Sequence, residues 1–259
     1  MLKKLNKLCG FRKDPIDDWL DNSPDQFFLT RGVRLALPDQ TQFPKSIDRK
    51  LVKQLAREGD PYWQYLLSRM YDNGAGLKAN PDNRMYWLEK AANRKNADAL
   101  VTFAALNIGL NPFNHEILQM FEEAGQLGNE EAILNIALLN LKKRSIFGKE
   151  KQRSITQILD LCNNGHSRAK FNMAIAFLSG EDVERDLVQC MNLLEEADMQ
   201  GVADGASLRA LIYNSEIFSD YYDPCKAFYC MLRQSVAMSS IFQNAYSTFS
   251  MMGAICIKI

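Results

Sequence analysis

The same kind of turn recurs along this chain at a nearly constant interval. Gly59-Asp60, Lys95-Asn96, Gly128-Asn129, Gly165-His166, Gly201-Val202 and Met238-Ser239 are spaced by 36, 33, 37, 36 and 37 residues. A period deserves weight when the same physical demand returns at each step. Stepping from Ser68 by those offsets reaches Ala104, Ala137, Ala174, Ala210 and Ser247. All are small, as close helix approach requires. The parallel series Val52, Leu88, Phe121, Ile158, Leu194 and Met231 is apolar throughout. Two columns that agree at six places predict a tandem array of helix pairs.

Within each repeat the first helix should end at glycine, as at Gly74 and Gly76. Asn80-Pro81 then opens the second, a capping residue followed by proline in the first turn. Sparse turn residues, 14 Gly and 8 Pro, fit helices better than a many-turned β-sandwich. The competing reading is an irregular helical bundle with coincidental spacing.

These residues resemble the Sel1-like repeat, a relative of the tetratricopeptide repeat. The best copy runs through Leu67-Ser68-Arg69-Met70-Tyr71-Asp72-Asn73-Gly74-Ala75-Gly76-Leu77 to Trp87-Leu88-Glu89-Lys90-Ala91-Ala92. A second loop fragment is Gly180-Glu181-Asp182-Val183 with Asp186, and a third is Asp223-Pro224-Cys225-Lys226-Ala227-Phe228. The second and third repeats lack the glycine loop. The resemblance implies an all-α, right-handed α/α superhelix (a solenoid) of about five to six helix pairs. The solenoid is expected over residues 48–259, including a C-terminal cap helix, with residues 1–47 as an N-terminal arm or cap. It also implies non-enzymatic adaptor work between proteins, commonly in bacteria, with no cofactor.

First helices usually line the concave side of such arrays, where partners bind. Positions six and three before the small residue, and one and four after it, share one stripe of the helix. The first repeat places Tyr62, Tyr65, Arg69 and Asp72 there. The next three place Val101, Ala105 and Ile108, then Leu134, Leu138 and Leu141, then Phe171, Ile175 and Leu178. Tyr65 and Arg69 are the expected polar anchors, with Leu134, Leu138, Phe171 and Ile175 as an apolar floor. A solvent-facing stripe this apolar needs a cover. The candidates are a partner's amphipathic helix, a second copy of the chain, or residues 1–47; the other reading is that the stripe is inter-helix core. Trp19, Phe27, Phe28 and Leu29 give residues 1–47 apolar anchors.

Other chemistry leaves little trace. Formal net charge is zero, with 31 basic and 31 acidic residues, which argues against general nucleic-acid binding. The basic cluster Lys142-Lys143-Arg144, Lys149, Lys151 and Arg153 supports an alternative: a docking subunit of an enzyme or nucleic-acid complex using loop 142–153. His115 and His166 are too few for a zinc site and are expected in turns. Glu122-Glu123 and Glu195-Glu196 recur at matching positions and read as a solvated helix face. No phosphate loop or nucleophile elbow appears. The six cysteines show no regular pairing, unlike the disulfide in each repeat of the family's cysteine-rich secreted members. Reduced thiols, no secretion signal and no apolar run long enough to span a membrane point to a cytoplasmic protein. The apolar tail at residues 250–259 is expected to fold back or to join two copies. Within the adaptor class, a narrower expectation is an immunity-type protein that neutralises a toxin or effector.

Overall fold

The computed structural model describes residues 48–108, 114–142 and 148–238. The arm at 1–47, residues 143–147 of the expected basic loop 142–153, Ser247 and the apolar tail lie outside the described residues; Lys142, Lys149, Lys151 and Arg153 of that expected loop lie on helices instead. The described residues are helical throughout, apart from turns and one 3₁₀ turn. In order, α1 is Arg49–Glu58, α2 Pro61–Asn73, α3 Pro81–Asn93, α4 Ala97–Asn107, α5 His115–Gln126 and α6 Glu130–Lys142. They are followed by α7 (Lys149–Asn163), α8 (Ser167–Ser179), α9 (Leu187–Met199), α10 (Ala203–Tyr213), the 3₁₀ turn Glu216–Phe218 and α11 (Pro224–Met238). After α1, α2 packs on α3, α4 on α5, α8 on α9 and α10 on α11. They fall into two compact units, described residues 48–158 and 159–238, with the division inside α7. Within each unit the extensive helix contacts are between consecutive helices.

The periodic turns are built from two residues with separate tasks. The first is left-handed: Gly59, Gly128, Gly165 and Gly201 have φ between 86 and 100°, and Lys95 has φ 61°. Lys95 is the one non-glycine with positive φ among the described residues. A left-handed side-chain-bearing residue costs about 1–2 kcal/mol. The exposed Lys95–Glu123 ion pair, 3.8 Å long, returns at most about 1 kcal/mol. The second residue caps the next helix. Asp60 accepts from the Tyr62 and Trp63 amides, Asn96 from Ala99, and Asn129 from Ala132. His166 accepts through Nδ1 from Ala169. Val202 stands in the same place without a side-chain cap. His166 thus lies in a turn as expected, whereas His115 opens α5.

The two columns answer to burial. Ser68, Ala104, Ala137, Ala174 and Ala210 are all buried, as are Val52, Leu88, Phe121, Ile158 and Leu194. Met231 departs: on the last described helix it is 48% exposed. The joint inside each pair also repeats where the glycine loop is present. Gly74 and Gly180 end α2 and α8 in the left-handed region. Asn80 and Asp186 each cap the following helix, accepting from the Asn83 and Gln189 amides. Asp223 does the same for Lys226 at the head of α11.

The second unit packs Phe171, Leu178, Leu194, Ile212 and Phe218 into one core. Gly205 lets α10 meet α9 closely, since a Cβ there would lie 2.8 Å from the Leu194 carbonyl oxygen. Beside it, the buried Asp198 carboxylate takes Arg209 at 3.3 Å and Arg233 at 3.1 Å. The acidic pair at the end of α9 is engaged as well as exposed: Glu195 meets Arg209 at 3.4 Å and Glu196 meets Lys170 at 2.7 Å.

Candidate functional site: the first-helix face

In the first unit, α2, α4 and α6 are the first helices of successive repeats, and a polar relay joins them. Tyr65 on α2 is buried, with its hydroxyl 3.3 Å from Thr102 Oγ1 on α4. Thr102 donates its own proton to the Asp98 carbonyl at 2.8 Å, so the tyrosine hydroxyl donates to the threonine. The Asp98 carboxylate accepts from Asn129 Nδ2 at 2.8 Å, and Asn129 caps α6. The Arg69 guanidinium stands 5.8 Å from the centre of the Tyr65 ring.

The electrostatics follow from burial. Burial raises the Asp98 carboxyl above the ordinary range, opposed by the positive charge of Arg69 and the Asn129 hydrogen bond. Burial likewise raises the Tyr65 phenol, aided by the negative charges of Asp98 and Glu131. The phenol therefore stays protonated and serves as a fixed donor. The donors and acceptors of this relay are spent on holding three helices in register.

The expected stripe divides by exposure. Tyr62 is 54% exposed, and Arg69, Asp72, Ile108, Leu138 and Leu141 are half-buried. Asp72 is already paired with Arg84 of α3 at 3.2 Å. Val101 and Leu134 are fully buried in the first unit, as is Leu178 in the second, and Phe171 is nearly so. These four, and the expected anchor Tyr65 with them at 4% exposure, lie in the interior and offer a partner no surface. Phe171 and Leu178 belong to the core of the second unit, with Ile175 half-buried against it. The physical reason is legible in α6, which is apolar nearly all round and so buries both sides. A naked apolar floor is therefore replaced by a mixed face.

Thr102, Asp98 and Arg84 escaped the sequence reading, which saw Asn129 only as a turn residue. The signal for one of them was present. Asp98 and Glu131 occupy the position six before the small residue, the same register as Tyr62.

Comparison with known proteins agrees with this architecture. The Sel1 repeat family matches residues 61–96 and 167–202, the two stretches that carry the Gly74 and Gly180 loops. A Sel1 repeat protein from Oxalobacter formigenes has a similar structure, with a TM-score of 0.55 and 20% identity over 73% of this chain and 78% of that one. The protective antigen c5321 of uropathogenic Escherichia coli, which displays an SLR fold, gives a TM-score of 0.53 and 17% identity over 81% of this chain. The match spans 48% of that longer protein. The immunity protein Pa5087 from Pseudomonas aeruginosa gives a TM-score of 0.52 and 14% identity, covering 87% of this chain and 83% of that one. No curated protein matches the sequence.

Proposed function

We propose that this chain, which carries Sel1 repeats at residues 61–96 and 167–202, is a non-enzymatic scaffold that captures a segment of a partner protein on the first-helix face of residues 48–158. The observation that carries this reading is the Tyr65–Thr102–Asp98–Asn129 relay. It fixes three successive first helices beneath an accessible face of Tyr62 and Arg69, with Ile108, Leu138 and Leu141 half-buried beside them. A face held rigid before binding loses less entropy when a partner docks. Tyrosine and arginine are the residues that most often dominate such contacts.

The test is affinity capture of the full chain from its native cell, followed by titration of the purified partner. Arg69→Glu and Leu138→Glu should each weaken binding at least tenfold while the circular dichroism spectrum keeps its helical form. Binding unchanged by both variants would refute the proposal.

A narrower reading within this class is toxin neutralisation. It draws support from the similarity of fold and length to an immunity protein. Co-expression with a toxin encoded beside this chain would then restore growth, and Arg69→Glu would remove that protection.

A further inference from the structure

Helix α1 opens the described array, with α2 packed against it. Val52 and Ala56 are its buried residues. Arg49, Lys53 and Arg57 follow at four-residue steps and so share a row along the helix, with Lys50 beside them. Arg49, Lys50 and Arg57 are exposed and Lys53 is half-buried. A fifth cation stands at the end of α1: the exposed Arg94 guanidinium lies over Gly59, 2.8 Å from where a Cβ would be. Among the described residues none of these five has an ion pair.

The nearby acids are engaged elsewhere. Asp48 caps α1, accepting from the Lys50 and Leu51 amides, and Asp60 caps α2. Glu58 accepts from Gln54. With these three counted against the five cations, the end of the array still carries an excess of two positive charges. The helix itself disfavours the arrangement. Cations four residues apart repel, and Arg49 and Lys50 occupy a first turn that has no acid and whose dipole favours anions. An anionic neighbour would relieve both.

The chain holds such a neighbour. Asp14, Asp17, Asp18, Asp21 and Asp25 put five negative charges into residues 14–25, with no cation among them. This stretch lies outside the described residues. Asp14, Asp18, Asp21 and Asp25 follow at steps of four, three and four, the spacing that aligns charges on one side of a helix. Trp19 among them offers a ring face to a guanidinium. Reach is ample. Asp25 stands 23 positions before Asp48, about 75 Å when fully extended, against about 15 Å for the ten residues of α1. The covalent tether also holds the two charge sets at high effective concentration.

We propose that residues 14–25 dock on the Arg49–Lys53–Arg57 row of α1 and cap that end of the array within one molecule. Repeat arrays need such a polar closure at their ends. The contact uses none of Tyr62, Arg69 and Leu138, so it can fail without the partner-binding face failing, and the reverse.

The experiment is hydrogen exchange of the full chain, read by mass spectrometry on peptides covering 14–25 and 48–58. The triple variant Asp17→Lys, Asp18→Lys, Asp21→Lys should quicken exchange in 48–58 about three- to tenfold. The triple variant Lys50→Glu, Lys53→Glu, Arg57→Glu should do the same in 14–25. Each triple is read on the segment it leaves unaltered, so intrinsic rates do not change. Salt at about 0.5 M should mimic either triple. The six changes together restore opposite charges, and both segments should return to within about twofold of the parent after correction for intrinsic rates. That rescue also separates lost docking from failed folding. An aspartate triple that leaves 48–58 at the parent rate, or a combined variant that rescues neither segment, would overturn the proposal. Protection that falls on dilution would assign the aspartates of a second copy. Saturable binding of a single-stranded oligonucleotide to the parent, lost in the α1 triple, would assign a phosphate backbone. Either outcome would overturn the proposal as well.

Discussion

Asn129 joins α4 to α6 through one side chain: its Nδ2 donates to Asp98 Oδ1 at 2.8 Å and its Oδ1 accepts from the Ala132 amide at 2.9 Å. Asn129→Ala removes a helix cap and strips a half-buried carboxylate of its donor. The expected loss is about 2–3 kcal/mol, from the cap and the unsatisfied acceptor together. Urea unfolding at neutral pH measures it. A loss under about 0.5 kcal/mol would mean that water replaces the amide freely.

Asp98 also sets a pH dependence. Its carboxyl is raised above its ordinary value by burial, so the folded state holds that proton more tightly than the unfolded chain. Its favourable contribution is complete below the unfolded carboxylate's titration and is lost as pH rises through the raised folded value. Asp98→Asn should therefore gain stability relative to the parent across that window, just above the ordinary carboxylate range. Paired unfolding curves from about pH 3 to 7 test the sign; a difference that falls with pH would contradict it.

Two glycine substitutions separate strain from collision. Gly165 has φ 91° and open space around an added Cβ, so Gly165→Ala isolates the left-handed backbone at about 1 kcal/mol. At Gly205 a Cβ would meet the Leu194 carbonyl at 2.8 Å. Gly205→Ala should cost about 2–3 kcal/mol, outweighing the better helix propensity of alanine. Thermal unfolding of both variants gives the comparison, and equal losses would remove the close approach as the cause.

Asp198 lies between two arginines, Arg209 at 3.3 Å and Arg233 at 3.1 Å, and is 8% exposed. Asp198→Ala takes the buried carboxylate from both arginines while Arg209 keeps Glu195 at 3.4 Å, a loss of about 2 kcal/mol. The double variant with Arg209→Met should recover part of it. A double-mutant cycle reads the coupling, and strict additivity would show that the pair does not interact.

The cysteines should differ in reactivity. Burial pushes the Cys162 and Cys190 thiols up to about 12, whereas Cys225 is exposed. Iodoacetamide at pH 8 with peptide mapping should label Cys225 in the native protein, and Cys162 and Cys190 only after denaturation.

The helix pairs were legible because their signals are local and recur: a small residue at 68, 104, 137, 174 and 210, and a turn every thirty-odd residues. The same register placed Tyr65 on the exposed stripe as a polar anchor, yet it is buried at 4% exposure. What stayed hidden depends on packing. Leu134 and Val101 share the register of an exposed stripe, yet they are buried, and no period in the sequence reports what covers a face. The Asp98–Asn129 bond spans 31 residues and joins two side chains that each look like an ordinary helix-start polar residue. Lys95 was visible as the odd member of a turn series, but its left-handed backbone appears only in the coordinates.

Four of the five described links close with the same two-residue hinge, one residue bent left and the next pinning a helix start, and the Gly201-Val202 link keeps the bend alone. A module cut out or copied between like hinges thus leaves its junctions chemically unchanged. Growth or loss by whole modules demands no new joint, and tolerance to insertion should be far greater in multiples of the period than at lengths that fall between.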